Sequence, residues 1–358
     1  MSTLSSNKST NHYDKIQHAG NTVMLASALR DTAFNCAFIR GDISYADIKF
    51  TIQVLAQRSL SLAVTFTQHL QVLYALYHSE LRHDLDLSDT GLISSATTSI
   101  KGPRLSTPLE LENELDTLQR ECPIVSYFDY SSHLLFTGVH KKELKLFLVK
   151  KQKMQILHSE DINCLGMSHN HIKKISFQVK TDECVIIRHD AAHIINDVLA
   201  FYAHLLWSVA WSASFDRAVE YTMETRLKLS KKLSEDFYAE SLSKLLNQSH
   251  INNQLIAQLE SRHLNSLSWL SYKDKMAFHT DVNSLKIIVS ENVTSGIESC
   301  LLILGFKKGY VVDNDFEFTQ LYCDIKSSQL MFNNSLLHII NLDCYTTLKS
   351  LQRRTSHA

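Results

Sequence analysis

Two histidines four residues apart have a spacing that occurs in metal sites. His189 and His193, in the segment HDAAH, would share one face of a helix, as a pair of zinc ligands does. The zincin motif needs a glutamate where Asp190 stands and a third ligand downstream. In a chain with 18 histidines such a spacing arises easily by chance. We therefore expect no metal site.

Motifs for other chemistries are absent from the sequence. It contains no P-loop, no GxGxxG fingerprint and no GxSxG nucleophile elbow. The basic run from Lys228 to Lys232 is typical of a solvated helix face. Seven dispersed cysteines without a CxxC pair indicate reduced thiols in a cytosolic protein.

Composition narrows the class of protein. A chain of 358 residues with 44% hydrophobic content is long enough for two or three domains. The net charge of −1 does not favour a nucleic-acid partner. Nine glycines and three prolines favour long helices. The polar N-terminus, and the lack of a run near the roughly 18 apolar residues of a membrane span, predict a cytoplasmic protein without a membrane segment.

Apolar periodicity predicts helices at both ends of the chain and strands between them. Helical spacing covers about residues 13–83 and returns from about 189 to the end. The stretch 85–107 is rich in Ser, Thr, Gly and Pro and is predicted to be a loop and domain boundary. Short apolar or β-branched runs predict strands at 123–128, 133–139, 144–149 and 175–179.

The predicted fold class is therefore mainly α with a small β domain (α+β). We expect an N-terminal helical domain over residues 1–88, a middle β domain over 89–186 and a C-terminal helical domain over 187–358. The predicted helices of the last domain lie at 191–229, 236–246, 253–264, 272–304 and 320–351.

The C-terminal segment resembles the end of an acyl-CoA dehydrogenase. A helical run from Val282 to Leu304 leads into LGFKKGYVVDNDFEFTQLYCDIKSSQLMFNNS. In that family a helix ends in a glycine-rich turn, and an acidic patch and an Arg-Asp-Ala-Lys motif precede the catalytic carboxylate. Here the turn is Gly305 to Tyr310, and Cys323-Asp324-Ile325-Lys326 stands at the motif.

Other segments extend the resemblance from about Ile43 to Leu342. Helical residues 43–76 are similar to the family's N-terminal domain, and Leu165-Gly166-Met167 is similar to the Leu-Gly-Met of its middle domain. YTMETRLKLSKKL matches the family's Tyr-x-x-x-Arg-x-x-Phe-Gly-Lys motif at Arg226 and Lys231. The resemblance implies a middle β-barrel-like domain and a C-terminal four-helix bundle.

The resemblance also implies FAD as the cofactor and names residues that would hold it. Arg226 would reach the flavin diphosphate, where a guanidinium fork suits phosphate oxygens. Gly305 and Gly309 would let the backbone approach the adenosine diphosphate, although Gly305 also suits a plain helix C-cap. Ser126 would donate to the flavin ring, and Asn334 stands where the family's Thr contacts the flavin.

The position of the family's catalytic carboxylate falls on Phe332, which cannot accept a proton. Some members carry the base on an earlier helix, and counting back from Arg226 leads to Ala200, where there is no carboxylate either. Asp197 and His204 lie about one helical turn away on either side and are the candidate substitutes.

Several functions stay open. The resemblance implies an FAD enzyme that oxidises an acyl thioester, carried by coenzyme A or a carrier protein, at the α,β-carbons. The alternatives are a flavin-dependent oxidase or monooxygenase of the same superfamily, and a catalytically inactive subunit with the same fold. A homo-oligomer, or pairing with an active paralogue, is also implied.

Overall fold

A computed structural model describes residues 13–97, 117–140, 143–187, 190–230, 232–264, 272–311 and 318–355. The chain forms two compact units. The first comprises Met1–Leu55 and Ser61–Ala203, and the second comprises Ala56–Leu60 and His204–Ala358. The boundaries of the three domains named from the sequence stay a prediction.

The N-terminal part of the chain is helical. Its helices are α1 (Thr22–Asp31), α2 (Phe34–Arg40), α3 (Tyr45–Arg58) and α4 (Leu60–Tyr77). Side chains cap the N-termini of α1 and α3. The Asn21 side chain accepts a hydrogen bond from Met24 N, and Ser44 Oγ accepts one from Asp47 N at 3.1 Å.

Seven strands form two sheets. They are β1 (Leu92–Ala96), β2 (Thr117–Val125), β3 (Ser131–His140), β4 (Glu143–Lys150), β5 (Gln155–Asp161), β6 (Lys173–Lys180) and β7 (Cys184–Ile187). One sheet has the order β1-β3-β4-β7 and the other β2-β6-β5. Their core is a single cluster that includes Val125, Phe136, Phe147 and Phe177. The predicted mainly helical fold with a small β part is confirmed.

Three strands were not expected from the sequence. β1 lies inside the stretch 85–107 that was predicted to be loop, and it is held there by parallel pairing with β3. Every residue of β5 is exposed, so its sequence lacks the alternation that marks a half-buried strand. β7 has only four residues. Pairing with other strands, at about 40 residues for β1 and with the next strand for β5, therefore determines these elements where the local pattern does not.

The C-terminal part of the chain is built on long helices. Ala191–His193 and a π turn at Ile194–Leu199 lead into α5 (Ala200–Leu229). The later helices are α6 (Ala239–His263), α7 (Tyr272–Gly305), α8 (Phe318–Ile325) and α9 (Asn334–Thr355).

Two predicted helix boundaries in this part are wrong. The segments predicted at 236–246 and 253–264 are parts of one helix, α6 (Ala239–His263), which continues through the polar residues between them. The predicted helix 320–351 is instead broken between α8 and α9, where Phe332 has a φ of 54°.

Two helical stretches are long and apolar enough, by length and composition alone, to cross a membrane. They are Ala191–Leu229, with a mean hydropathy of 1.3, and Asp274–Tyr310, with 1.5. The most apolar window is 94% buried within the structure in the first and 50% in the second. Helices in the core of a folded protein pass the same test, so the expected absence of a membrane segment stays a prediction.

Candidate functional site

The residue at the family's carboxylate position lies in a strained turn. Phe332 has a positive φ of 54°, a left-handed conformation that bulky side chains rarely adopt. Its ring meets the His204 ring edge to face, with centroids 5.1 Å apart. Such strain persists only where the surroundings enforce it, and it is concentrated at functional sites.

A buried lysine enforces this turn. Lys286 on α7 is fully buried, and its Nζ donates hydrogen bonds to Phe332 O at 3.0 Å and to Asn334 Oδ1 at 2.6 Å. Burial lowers the pKa of Lys286 to about 7, and the charge of Glu291 opposes this effect. Neutral amine and ammonium are therefore both populated near neutral pH.

Asn334, expected to contact a flavin, is the buried first residue of α9. Besides accepting from Lys286, its amide donates to Ser290 Oγ at 3.0 Å and to Glu291 Oε1 at 3.4 Å. These contacts give Asn334 a structural role in fastening α9 to α7. Its proposed role toward the cofactor stays a prediction.

Helix α5 carries a buried polar face beside this turn. His204 and four residues on the same helical face have buried polar atoms with no hydrogen-bond partner among the described residues: Trp207, Ser208, Trp211 and Ser212. An unsatisfied buried polar group costs about 1–3 kcal/mol. Burial, helped by the charge of Lys286, lowers the pKa of His204 to about 3. The imidazole is therefore neutral at physiological pH and a weak base.

The expected phosphate-binding arginine is engaged within the chain. Arg226 Nε and Nη2 both bind the Asp236 carboxylate, at distances of 2.9 to 3.1 Å. The guanidinium also lies 5.0 Å from the Tyr238 ring centroid. Hydrogen bonds from Ser230 and from the Tyr238 backbone, together with Arg226, lower the pKa of Asp236. In this conformation the fork faces a carboxylate of its own chain.

The two predicted glycines differ in their surroundings. Gly305 has φ 66° and ψ −166°, a region open essentially only to glycine. A Cβ there would meet nothing within 4 Å, so another molecule could approach this backbone closely. A Cβ on Gly309 would lie 2.8 Å from Leu301 O. Packing within the chain therefore already requires Gly309.

Ser126 lies in the turn after β2 and is half-buried. Its backbone oxygen accepts a hydrogen bond from Ser94 Oγ at 3.0 Å. Its own hydroxyl makes no hydrogen bond to any residue that the structure describes, which leaves a donor available for a ligand.

Asp197, the other candidate base, belongs to the first unit and is paired with a histidine. Its Oδ2 lies 2.6 Å from His193 Nδ1, and the side chains are 8% and 32% exposed, respectively. Both residues belong to the helical stretch that contains the π turn Ile194–Leu199, and such turns are frequent at functional sites. His189 lies outside the described residues, and no group of three metal-ligating side chains occurs within them.

Sequence reasoning missed the two groups with the strongest geometry. Lys286 gave a signal, since it is a lone charge inside the apolar run 285–289. The pairing of His193 with Asp197 has a sequence signal too, the i, i+4 spacing. The HDAAH segment, however, suggests a role for His193 only as a metal ligand.

Comparisons with known proteins find similarity in structure and none in sequence. No protein-family model and no curated protein matches the sequence. The structure is similar to the FAD complex of PigA, with a TM-score of 0.73, 14% identity, and coverage of 97% of this chain and 94% of that chain. For butyryl-CoA dehydrogenase from Megasphaera elsdenii the TM-score is 0.71 and the identity 11%, with coverage of 96% of this chain and 94% of that chain. For TdsC from Paenibacillus sp. A11-2 with FMN and indole the TM-score is 0.72 and the identity 12%, with coverage of 95% of each chain.

At identities this low, the structural similarity establishes the fold and nothing more. The similarity covers both units and nearly the whole length of each compared protein. The architecture expected from the resemblance is therefore confirmed.

Proposed function

We propose that this chain, which has the acyl-CoA dehydrogenase fold, is a flavin-dependent oxidoreductase that acts on an acyl thioester. The observation that carries the proposal is the full-length similarity to PigA, whose structure contains FAD. A structure of PigA that also contains proline is similar over 98% of this chain. Butyryl-CoA dehydrogenase, by its name, acts on an acyl thioester. These names suggest the class of substrate and leave the acyl group open.

Two of the predicted flavin-binding residues, each taken within its own unit, are open to a ligand. The Gly305 backbone is open to a ligand, and the Ser126 hydroxyl is an uncommitted donor among the described residues. Arg226 fits less well, since a phosphate would have to replace Asp236 as its partner. FAD is therefore the proposed cofactor, and Gly305 is the residue best suited to lie against its phosphates.

The chemistry of the chain's own residues differs from that of a dehydrogenase with a carboxylate at position 332. A bound flavin would accept the hydride, but Phe332 cannot remove the α-proton. Lys286 holds the Phe332 carbonyl and so maintains the turn next to His204. Proton removal would therefore depend on a group elsewhere in the chain.

Two alternatives have specific observations in their favour. The similarity to TdsC with FMN and indole supports a flavin-dependent oxidase or monooxygenase, for which no α-proton need be removed. Phe332 and the Arg226–Asp236 pair support an inactive subunit that keeps the fold. A homo-oligomer, pairing with an active paralogue and a cytoplasmic location stay predictions.

The test is the visible spectrum of the purified full-length protein. We expect the visible absorbance of a bound flavin, either on purification or after FAD is added. Anaerobic addition of butanoyl-CoA should bleach it. Failure to take up FAD or FMN would overturn the proposal in favour of the inactive subunit. Flavin that binds, but that no thioester reduces, would favour the oxidase or monooxygenase.

A matched pair of glycine variants connects the spectrum to the site. Gly305→Val should weaken FAD binding, because a side chain would occupy the open approach to the backbone. Gly20→Val is the control, since the nearest atom to a Cβ there is Met24 Sδ at 3.6 Å. Equal affinity of the two variants for FAD would exclude Gly305 from the flavin site.

A further inference from the structure

We propose that His193 is the general base of this protein, oriented by Asp197, and that it removes the proton from the carbon next to the thioester carbonyl. This inference rests on the proposed function, because the acyl thioester is part of that proposal. The proposed base is an imidazole and not a carboxylate, and it lies far from position 332 in the chain.

The hydrogen bond between the two residues fixes which nitrogen can act. A carboxylate oxygen can only accept, so His193 Nδ1 must donate the hydrogen bond to Asp197 Oδ2 at 2.6 Å. In the neutral ring Nε2 then carries the lone pair. This is the nitrogen that points away from the carboxylate and that can take a proton.

Burial separates the roles of the two side chains. The Asp197 carboxylate is withdrawn from solvent, with 8% of the side chain exposed, while 32% of His193 remains exposed. The carboxylate can therefore hold the ring and stabilise the imidazolium that forms, and the ring remains within reach of a ligand. Asp197 is a positioning residue in this scheme.

Local structure fixes the start of the helix that carries the pair. The Asp190 side chain accepts a hydrogen bond from Ala192 N at 2.9 Å and so caps the first turn. The π turn that follows, Ile194–Leu199, includes Asp197. Asp197 follows His193 by four positions, and the helix presents both side chains on one side.

The neighbouring groups of the first unit complete the site. His78, just after α4, has its pKa lowered by burial first, and then by the positive charges of His193 and Arg82. The His78 ring lies 6.1 Å from the Tyr202 ring, which stacks on Tyr74 at 3.3 Å. Arg82 therefore supplies positive charge to this part of the unit, which would favour an enolate nearby, and the stacked Tyr74 and Tyr202 rings lie next to His78.

The proposed step balances without an oxidant. The α C–H bond breaks, the proton goes to Nε2, and the electron pair of the broken bond moves onto the thioester carbonyl oxygen as an enolate. When the imidazolium returns a solvent-exchanged proton to carbon, the thioester is regenerated with a new hydrogen. In D2O the step therefore appears as incorporation of deuterium at the α-carbon.

We would measure that exchange by mass spectrometry on the FAD-loaded full-length protein, with butanoyl-CoA and a butanoyl pantetheine thioester as probes. The wild-type protein should exchange the α-hydrogens. His193→Gln should lower the rate by about 100-fold or more, within the range for loss of a general base. Asp197→Asn should give an intermediate rate. Flavin content and circular dichroism would show that each variant is folded.

The control is a second His–Asp pair with the same spacing. His18 and Asp14 also lie four residues apart, with His18 Nδ1 at 3.2 Å from Asp14 Oδ1, but their side chains are 71% and 72% exposed. His18→Gln should exchange at the wild-type rate.

A second measurement does not depend on activity. In 15N-histidine NMR of the protein without added flavin, His193 should be in the Nδ1–H tautomer, and Asp197→Asn should weaken that preference. Flavin uptake without α-exchange, or unchanged exchange in His193→Gln, would overturn the assignment of His193. A protein that binds no flavin would overturn the proposed function instead, so the two failures can be told apart.

Discussion

At the residue scale, Lys286 combines complete burial with hydrogen bonds to two neutral oxygens. Its partners, Phe332 O and Asn334 Oδ1, carry no full charge, so the ammonium is poorly compensated. This is why burial lowers its pKa to about 7. The lysine that fastens the turn is therefore also a pH-dependent element of stability.

We predict that the free energy of unfolding rises with pH between about 7 and 10.5 because of Lys286. Its folded pKa of about 7 lies below the unfolded value, so in this interval the unfolded chain binds more protons and each rise in pH favours the folded state. The gain would reach up to about 5 kcal/mol, at about 1.36 kcal/mol for each pKa unit.

Urea denaturation of the wild-type protein and of Lys286→Met between pH 6 and 10 would measure this effect. The variant should lack the rise, while Lys349→Met, which removes an exposed lysine of α9, should keep it. A wild-type curve no steeper than that of Lys286→Met would show that Lys286 titrates as an ordinary lysine.

Motifs in the sequence identify the candidate site residues, but no motif identifies the residues that they contact. Arg226 and Asn334 stand in recognisable positions, but Asp236 is ten residues from Arg226 and Lys286 is 48 residues from Asn334. Sequence patterns describe neighbours along a helix. Partners brought together by packing leave no local signature.

At the scale of elements, the end of α7 depends on a single residue type. Gly305 ends the helix with φ 66° and ψ −166°, and the π turn Phe306–Tyr310 follows directly. A side chain would not collide with anything there, so the requirement for glycine is purely conformational.

We predict that Gly305→Ala lowers the free energy of unfolding by about 1–3 kcal/mol, the cost of holding a residue with a Cβ in that region. Gly20→Ala is the matched control, because its backbone has no positive φ and its Cβ would have ordinary contacts. Chemical denaturation of both variants provides the comparison. Equal stability would mean that the turn can relax.

The helices were more predictable than the strands, for a physical reason. α3 and α7 bury a repeating apolar face along their own length, so periodicity locates them. β1 was assigned to a loop because its stability comes from β3, about 40 residues away. The break before α9 depends on the Lys286 contacts, and its local signal is Asn333, whose Oδ1 accepts a hydrogen bond from Ser335 N at 2.8 Å and so caps α9.

At the scale of the whole molecule, buried histidines make the stability of both units depend on pH. In the first unit His69 Nε2 donates to Asn35 Oδ1 at 2.8 Å, and its Nδ1 accepts from Ile93 N at 3.1 Å. Burial lowers the pKa of His69 to about 3 and that of His133 to about 4. In the second unit it lowers that of His204 to about 3.

We predict that the protein loses stability as the pH falls below about 6.5. Each folded pKa lies below the unfolded value, so the unfolded chain takes up protons first, and each histidine costs about 2–3 kcal/mol by pH 4.5. His204→Leu should reduce the loss and the exposed His18→Gln should not, as measured by urea denaturation at pH 7 and pH 4.5. A wild-type protein equally stable at both pH values would contradict the prediction.

The π turn at Ile194–Leu199 has a consequence for how relatives are compared. A π turn takes in one residue more than an α-helical turn, so the residues before it are rotated by about 100° from where continuous α-helical counting would place them. Counting back from Arg226 stays within α5 as far as Ala200, and it becomes unreliable only for the residues before Ala200. A relative that lacks the extra residue would present another side chain at the angular position of His193. Deletion of a single residue here would redirect that ring without shortening any later helix.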